Sequence, residues 1–155
     1  MFVSYAHDSE AHKAEVRSLC EILADHGADV LLDQWVVNKV IWSEWAERLW
    51  EADFVLVVAS PKYKARVDSG RAHDHGTGVL YEARLLRDLV TGFPDSGHGR
   101  ILSVLLPGHV VDEIPRFLLP YTGTHYEVRQ INAAGVAELR NALAGQPAER
   151  AVPRT

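Results

Sequence analysis

Apolar positions along the chain fall into two kinds of grouping. Some are short runs: Phe2-Val3-Ser4-Tyr5, Asp29-Val30-Leu31-Leu32-Asp33, Phe54 to Ala59, Ile101 to Leu106, and a weaker stretch at His125-Tyr126-Glu127-Val128. Others recur every three or four residues: Val16, Leu19, Cys20 and Leu23; Trp42, Trp45, Leu49 and Ala52; Val79, Leu80, Ala83, Leu86 and Val90; Val136, Leu139 and Leu143. The runs predict strands and the periodic stretches predict amphipathic helices. Phe54 to Ala59 and Ile101 to Leu106 show no polar alternation, the pattern of central parallel strands covered on both faces.

Punctuation fits these elements. Asp8 and Ser9 are two candidate N-caps for the first helix, and Gly27 sits where a C′ glycine belongs. Ser60-Pro61 and Pro107-Gly108 stop the two apolar strands. Gln34 to Lys39 reads as a loop, Lys62 to Gly78 as a polar, glycine-rich connection, and Asn132 as a cap for the last helix. Strands alternating with helices predict a parallel α/β sheet with right-handed crossovers. One domain spans residues 1–145, and residues 146–155 read as a linker or disordered tail.

Composition narrows the partners. Sixteen Lys and Arg against 21 Asp and Glu give a net charge of −5, which speaks against nucleic acid or an anionic membrane as the main partner. No apolar run approaches the ~20 residues that span a bilayer. The single cysteine, Cys20, lies on the apolar stripe of its helix, so a buried structural thiol is expected and an internal disulfide is excluded. With no basic leader ahead of the first strand, the expected location is cytoplasmic. A start directly on structure also suggests a domain of a longer protein fused to another domain.

Several familiar α/β chemistries lack their residues. The turn after the first strand, Ala6-His7-Asp8-Ser9, has no glycine, so a dinucleotide-binding G-x-G-x-x-G is absent there. Nowhere is there the G-K-[ST] of a P-loop or the G-x-S-x-G elbow of a serine hydrolase. The strand ending Ala59-Ser60-Pro61 carries no aspartate to accept a phosphoryl group. His73-Asp74-His75 is a metal-like cluster by composition. It has no helical frame and no identifiable third ligand, and no metal is assigned.

Three stretches and a fourth that follows them form a familiar set: Phe2-Val3-Ser4-Tyr5-Ala6-His7-Asp8-Ser9; Asp29-Val30-Leu31-Leu32-Asp33-Gln34-Trp35; Ala52-Asp53-Phe54 through Ser60-Pro61-Lys62-Tyr63; and Gly78-Val79-Leu80-Tyr81-Glu82-Ala83. Over residues 1–145 this resembles the SEFIR family, in its bacterial type, the sister of the TIR domains. The resemblance implies a flavodoxin-like, five-stranded parallel sheet with helices on both faces. It implies an intracellular role in signalling or defence, such as innate immunity or antiphage defence, through self-association or binding of other SEFIR or TIR domains.

Some TIR domains also hydrolyse NAD between ribose and nicotinamide, with a catalytic glutamate on the helix after the third strand. By resemblance the matching residue here is Glu82, with NAD as substrate and no bound cofactor. One carboxylate fits that chemistry. Nicotinamide leaves as a neutral molecule from a cationic pyridinium, so no general acid is needed, and one anion stabilises the developing oxocarbenium charge. Tyr5 or Trp35 are candidates to meet the nicotinamide ring. For the diphosphate the candidates are the helix start at Asp8 and Ser9, or Lys62 and Arg66. Two plainer readings stand beside this: the helix dipole favours a glutamate in a first turn in any protein, and the alternative function is a purely non-catalytic scaffold or adaptor.

The loop after Trp35 departs from the family's usual acidic residue and glycine, reading Val36-Val37-Asn38-Lys39-Val40-Ile41. Exposed apolar residues there would make Trp35 to Val40 a contact surface between molecules. Alternatively the next helix starts earlier and buries them.

Overall fold

In a computed structural model of the chain, residues 1–35, 42–69, 77–92 and 97–144 are described. The described elements are β1 (Phe2–Ser4), α1 (Glu10–Asp25), a 3-10 turn (Asp33–Trp35), α2 (Trp42–Glu51), β2 (Val55–Val58), α3 (Pro61–Ser69), α4 (Thr77–Gly92), the short α5 (Gly97–Arg100), β3 (Ile101–Leu105), 3-10 turns at Val111–Glu113 and Arg116–Leu118, β4 (His125–Glu127) and α6 (Ala137–Leu143). The four strands form a parallel sheet in the order β1-β2-β3-β4. Its register sets Phe2 against Val55, Val55 against Ile101, and Ser103 against His125.

Among the described residues the sheet has four strands where five were expected. Asp29 to Asp33 contributes one parallel bridge, Leu31 to Phe2 on the outer side of β1. Val3 N–H donates to Leu31 O at 3.1 Å, and Leu31 N–H to Met1 O at 2.8 Å. Pairing ends because the chain turns at Asp33–Trp35, where Trp35 N–H closes onto Leu32 O at 3.0 Å and the Asp33 carboxylate takes side-chain donors from Tyr5 and His7. The flavodoxin-like arrangement survives with its outermost strand reduced to that contact.

Both central strands are buried throughout, as their unbroken apolar runs predict. Strand alternation feeds two cores. Phe2, Val55 and Val57 pack with Trp45 and Leu49 of α2, Tyr63 and Val67 of α3, and Leu86 and Leu89 of α4. Val3, Leu56 and Val58 pack on the other face with Leu19 and Leu23 of α1 and Leu139 of α6. Each fully buried side chain of this size contributes about 1.5–3 kcal/mol. Cys20 lies within the second core, and burial pushes its thiol up to about 12.

Two expectations need correction. The polar stretch after Ser60 begins with a helix, α3. Ser60 caps it, its Oγ accepting Tyr63 N–H at 3.2 Å, with Pro61 in the first position, where its missing N–H costs nothing. Asp8, arriving from the β1–α1 loop, accepts the Lys62 N–H at 3.1 Å and the Ser60 hydroxyl at 2.8 Å. Asn132 does not cap α6. Its Oδ1 accepts Gly135 N–H at 2.8 Å inside the preceding turn, and α6 starts at Ala137 after Val136. That turn requires glycine: a Cβ at residue 135 would lie 1.8 Å from Gln130 O. Of the two candidates for α1, Ser9 is the cap, accepting His12 N–H at 3.0 Å.

Candidate functional site

The chain leaves β1 toward Leu31 on one side and reaches β2 on the other, so the strand order reverses at β1. In open α/β sheets the crevice at the carboxyl ends of strands beside such a reversal is where ligands bind. Ser4, the last residue of β1, stands there. Strand alternation sends Ser4 to the same face as Phe2, toward α3 and α4, and Tyr5 to the face of α1.

On the Ser4 face three polar groups meet inside an apolar layer. The Ser4 hydroxyl donates to Glu82 Oε1 at 2.6 Å, and Ser4 Oγ and Tyr63 Oη lie 2.8 Å apart. Glu82, on α4, is 6% exposed; Tyr63 and Ser4 are buried as well. Burial is the dominant influence on the Glu82 carboxyl and pushes it up to about 8; the Ser4 hydrogen bond opposes this, and the negative charge of Asp33 adds to it. Burial, and then the nearby Glu82 charge, also raise the Tyr63 hydroxyl above its usual range. At neutral pH Glu82 is therefore mainly a neutral acid, and a cation brought beside it would favour the anion.

The other expected site residues are distributed around this point. The Tyr5 hydroxyl donates to Asp33 Oδ1 at 2.7 Å and accepts from Gln34 Nε2 at 2.8 Å, on the opposite face of the sheet from Glu82. Burial pushes the Asp33 carboxyl up, but hydrogen bonds from His7, 3.0 Å away, and from Tyr5 outweigh it and hold the group below its usual range. Asp8, Ser60 and Lys62 form one cluster at the start of α3, with Lys62 Nζ donating to Asp8 O at 3.3 Å. Ser9 is engaged as the α1 cap. Trp35 is 38% exposed, and Arg66 is half-buried on α3. Val36, Val37, Asn38, Lys39 and Val40 lie outside the described residues, as do His73, Asp74 and His75.

Sequence reasoning missed Ser4 and Tyr63, the partners of Glu82. Their signal was available in part: a serine at an inward position of a buried strand, and an aromatic residue two positions after Pro61 on a capped helix. A cleft of 460 Å³ lies away from Glu82, between β4 and α6, lined by Tyr126, Glu127 and Glu138. Among the described residues no group of three or more His, Cys, Asp or Glu is arranged to hold a metal, and no helix is long and apolar enough to cross a membrane.

A parallel sheet with helices on both faces, reversing its strand order at β1, is the flavodoxin-like α/β fold shared by solved SEFIR and TIR structures. More narrowly, the chain belongs to the SEFIR domain family, whose profile matches residues 1–134. The crystal structure of a prokaryotic SEFIR domain is similar with a TM-score of 0.66 at 21% identity, over 92% of this chain and 90% of that one. A metazoan TIR-STING receptor from C. gigas, in complex with 2′,3′-cGAMP, is similar with a TM-score of 0.59 at 16% identity, over 92% of this chain and 38% of that one. At these identities the likeness establishes the fold. No curated protein matches the chain. SEFIR and TIR domains characteristically signal by binding one another.

Proposed function

We propose that this domain signals by assembling with copies of itself or with other SEFIR or TIR domains, and that Glu82 is the catalytic carboxylate of an NAD glycohydrolase within that assembly. The observation behind the catalytic reading is the placement of Glu82. An ionisable side chain in an apolar layer, raised to about 8 and hydrogen-bonded at the carboxyl edge of the sheet, costs stability that a leucine or glutamine there would not. Strongly perturbed carboxyl groups beside a ligand crevice cluster at functional sites.

In the proposed reaction the bond between ribose C1′ and the nicotinamide ring nitrogen breaks, and its electron pair leaves with nicotinamide, now neutral. The positive charge left on the ribose is stabilised by ionised Glu82. Water then adds to C1′ and releases one proton to solvent. The cationic nicotinamide itself favours the ionised carboxyl, so substrate binding and Glu82 ionisation reinforce each other. Lys62, Arg66 and the start of α1 at Asp8 and Ser9 are the proposed contacts for the diphosphate. Trp35 is the better aromatic candidate for the nicotinamide ring, because Tyr5 is buried on the other face.

The low exposure of Glu82 favours a second reading, a purely non-catalytic scaffold in which the carboxyl is a buried structural acid. The two separate on one experiment. The pure domain is incubated with NAD at high protein concentration and free nicotinamide is measured. The catalytic reading expects release that falls by about two orders of magnitude or more in Glu82→Gln with folding retained. Release that Glu82→Gln leaves unaltered overturns the assignment, and no release from the wild type under crowded conditions establishes the scaffold.

A further inference from the structure

We propose that Tyr63 and Ser4 are positioning residues, a directional hydrogen-bond chain that holds the Glu82 side chain and supports its ionised form. The proposal deepens the reading of Glu82 as the working carboxylate and rests on it. It stands on proton counting across three buried groups. With Glu82 ionised, Ser4 donates to Oε1 at 2.6 Å, and the Ser4 oxygen is free to accept the Tyr63 hydroxyl proton at 2.8 Å. Every donor then has an acceptor, and all dipoles point toward the charge.

With Glu82 neutral the chain loses its charged acceptor. If the acid donates to Ser4 Oγ, Ser4 turns its proton to Tyr63 Oη, and the Tyr63 proton has no acceptor among the described residues. If Ser4 still donates to Oε1, the proton on Oε2 is the one left over. Tyr63 is fully buried, so the first arrangement strands its proton away from water; in the second, the Glu82 carboxyl, 6% exposed, can turn its proton to solvent, and Ser4 is left donating to an uncharged oxygen. The neutral form either strands the Tyr63 proton or weakens the bond from Ser4, whereas the ionised form keeps both hydrogen bonds directed at a charge, the stronger kind. Burial pulls the other way, and the carboxyl is poised between the two.

The charged groups around Glu82 do not duplicate this role. Asp33, beyond β1, acts on it through space in the direction of the neutral form. Arg87, on α4 itself, donates to Val67 O at 3.0 Å and stacks over Phe117. From α2 the core side chains are Trp45 and Leu49, while Glu47 accepts the Tyr81 hydroxyl at the surface. Arg100 of α5 is spent on the carbonyls of Trp50 and Ala52.

The test is the titration of the Glu82 carboxyl in the full chain, followed by carbon-13 labelling of glutamate and assigned by the signal lost in Glu82→Gln. Tyr63→Phe keeps the ring and removes the hydroxyl; Ser4→Ala removes the direct donor. The midpoint should rise in both, by about half a pH unit to one unit in Tyr63→Phe and further in Ser4→Ala. The pH at which nicotinamide release reaches half its maximum should rise by the same amount, a shift that loss of packing alone would not produce. An unchanged or lowered midpoint in Tyr63→Phe, which is expected to fold even if Ser4→Ala does not, overturns the chain. If the midpoints rise but no NAD is hydrolysed, the catalytic reading falls and the chain stands; if Glu82→Gln abolishes hydrolysis but the midpoints stay, the reverse holds.

Discussion

Ser4 and Glu82 stand 78 residues apart in the chain, and the Ser4 hydroxyl donates to Glu82 Oε1 at 2.6 Å in the buried layer between β1 and α4. Ser4 is held by the sheet, through the pairing of β1 with β2, and Glu82 by a helix packed on it. The position of the carboxyl is set by the rigid part of the fold, and its protonation is therefore coupled to folding.

That coupling has a definite sign. The Glu82 carboxyl is raised from 4.5 to about 8 in the folded protein, so between those values the native state holds a proton that the unfolded chain releases. The contribution to stability is fully present below pH 4.5 and is lost as pH rises through 8. Glu82→Gln lacks this dependence. It should match the wild type near pH 4 and become increasingly more stable toward pH 8, by up to about 5 kcal/mol. Urea midpoints at pH 4.5, 6 and 8 check this, and a gap between the two proteins that stays constant with pH refutes it. A variant more stable yet inactive is the expected trade between function and stability.

His12 has the opposite sign. The residue is 4% exposed, neither ring nitrogen has a hydrogen-bond partner among the described residues, and the His109 ring lies 5.3 Å away between centroids. Burial lowers its proton affinity below 6.5, with Asp8 opposing that shift and His109 adding to it. The native state therefore resists a proton that the unfolded chain accepts below pH 6.5, and stability falls as pH falls from there. His12→Leu should flatten the acid side of the stability profile and change little at pH 8. A thermal midpoint at pH 5.5 that drops as steeply in the variant as in the wild type would show that other groups carry the acid sensitivity.

The start of α3 is capped from a distance. Asp8→Ala removes the acceptor for Lys62 N–H and leaves the Ser60 hydroxyl, buried against it, without its partner. A loss of about 1–2 kcal/mol is expected. Ser60→Ala should cost a similar amount. The double variant should cost less than the sum, because both changes remove the same cap. Additive losses in urea denaturation would mean that the two residues act separately.

The sheet and four of its helices were legible because unbroken apolar runs and three-to-four spacing are local signals read directly from Phe54 to Ala59, Ile101 to Leu106, or Leu19 and Leu23. The helix α3 was not, because only Tyr63 and Val67 mark its buried side and part of its cap comes from Asp8, 52 residues before Ser60. The second strand looked as strong as the first in its apolar content. It failed to extend because Asp33 is engaged by Tyr5 and His7, a tertiary arrangement that spacing cannot reveal. Glu82 was singled out by resemblance alone; that its carboxyl would lie against Ser4 and Tyr63 depends on how α4 packs across β1, which no local pattern encodes.

Self-association is the remaining expectation, and it concerns a segment outside the described residues. Trp35, 38% exposed, stands at its entrance. The residues that follow, Val36, Val37, Val40 and Ile41, are too apolar for an ordinary solvated connection. Placing one charge at Val37 and another at Val40 makes burial against a second molecule costly, while a solvated loop would accept them. Val37→Asp with Val40→Asp should leave a monomer with an unchanged circular dichroism spectrum and thermal midpoint, whereas the wild type should sediment faster as its concentration rises. If assembly completes the site, nicotinamide release from the wild type climbs more steeply than linearly with protein concentration, and in the double variant it becomes lower and linear although Glu82 is untouched. An identical distribution of species before and after the change places the interface elsewhere on the domain.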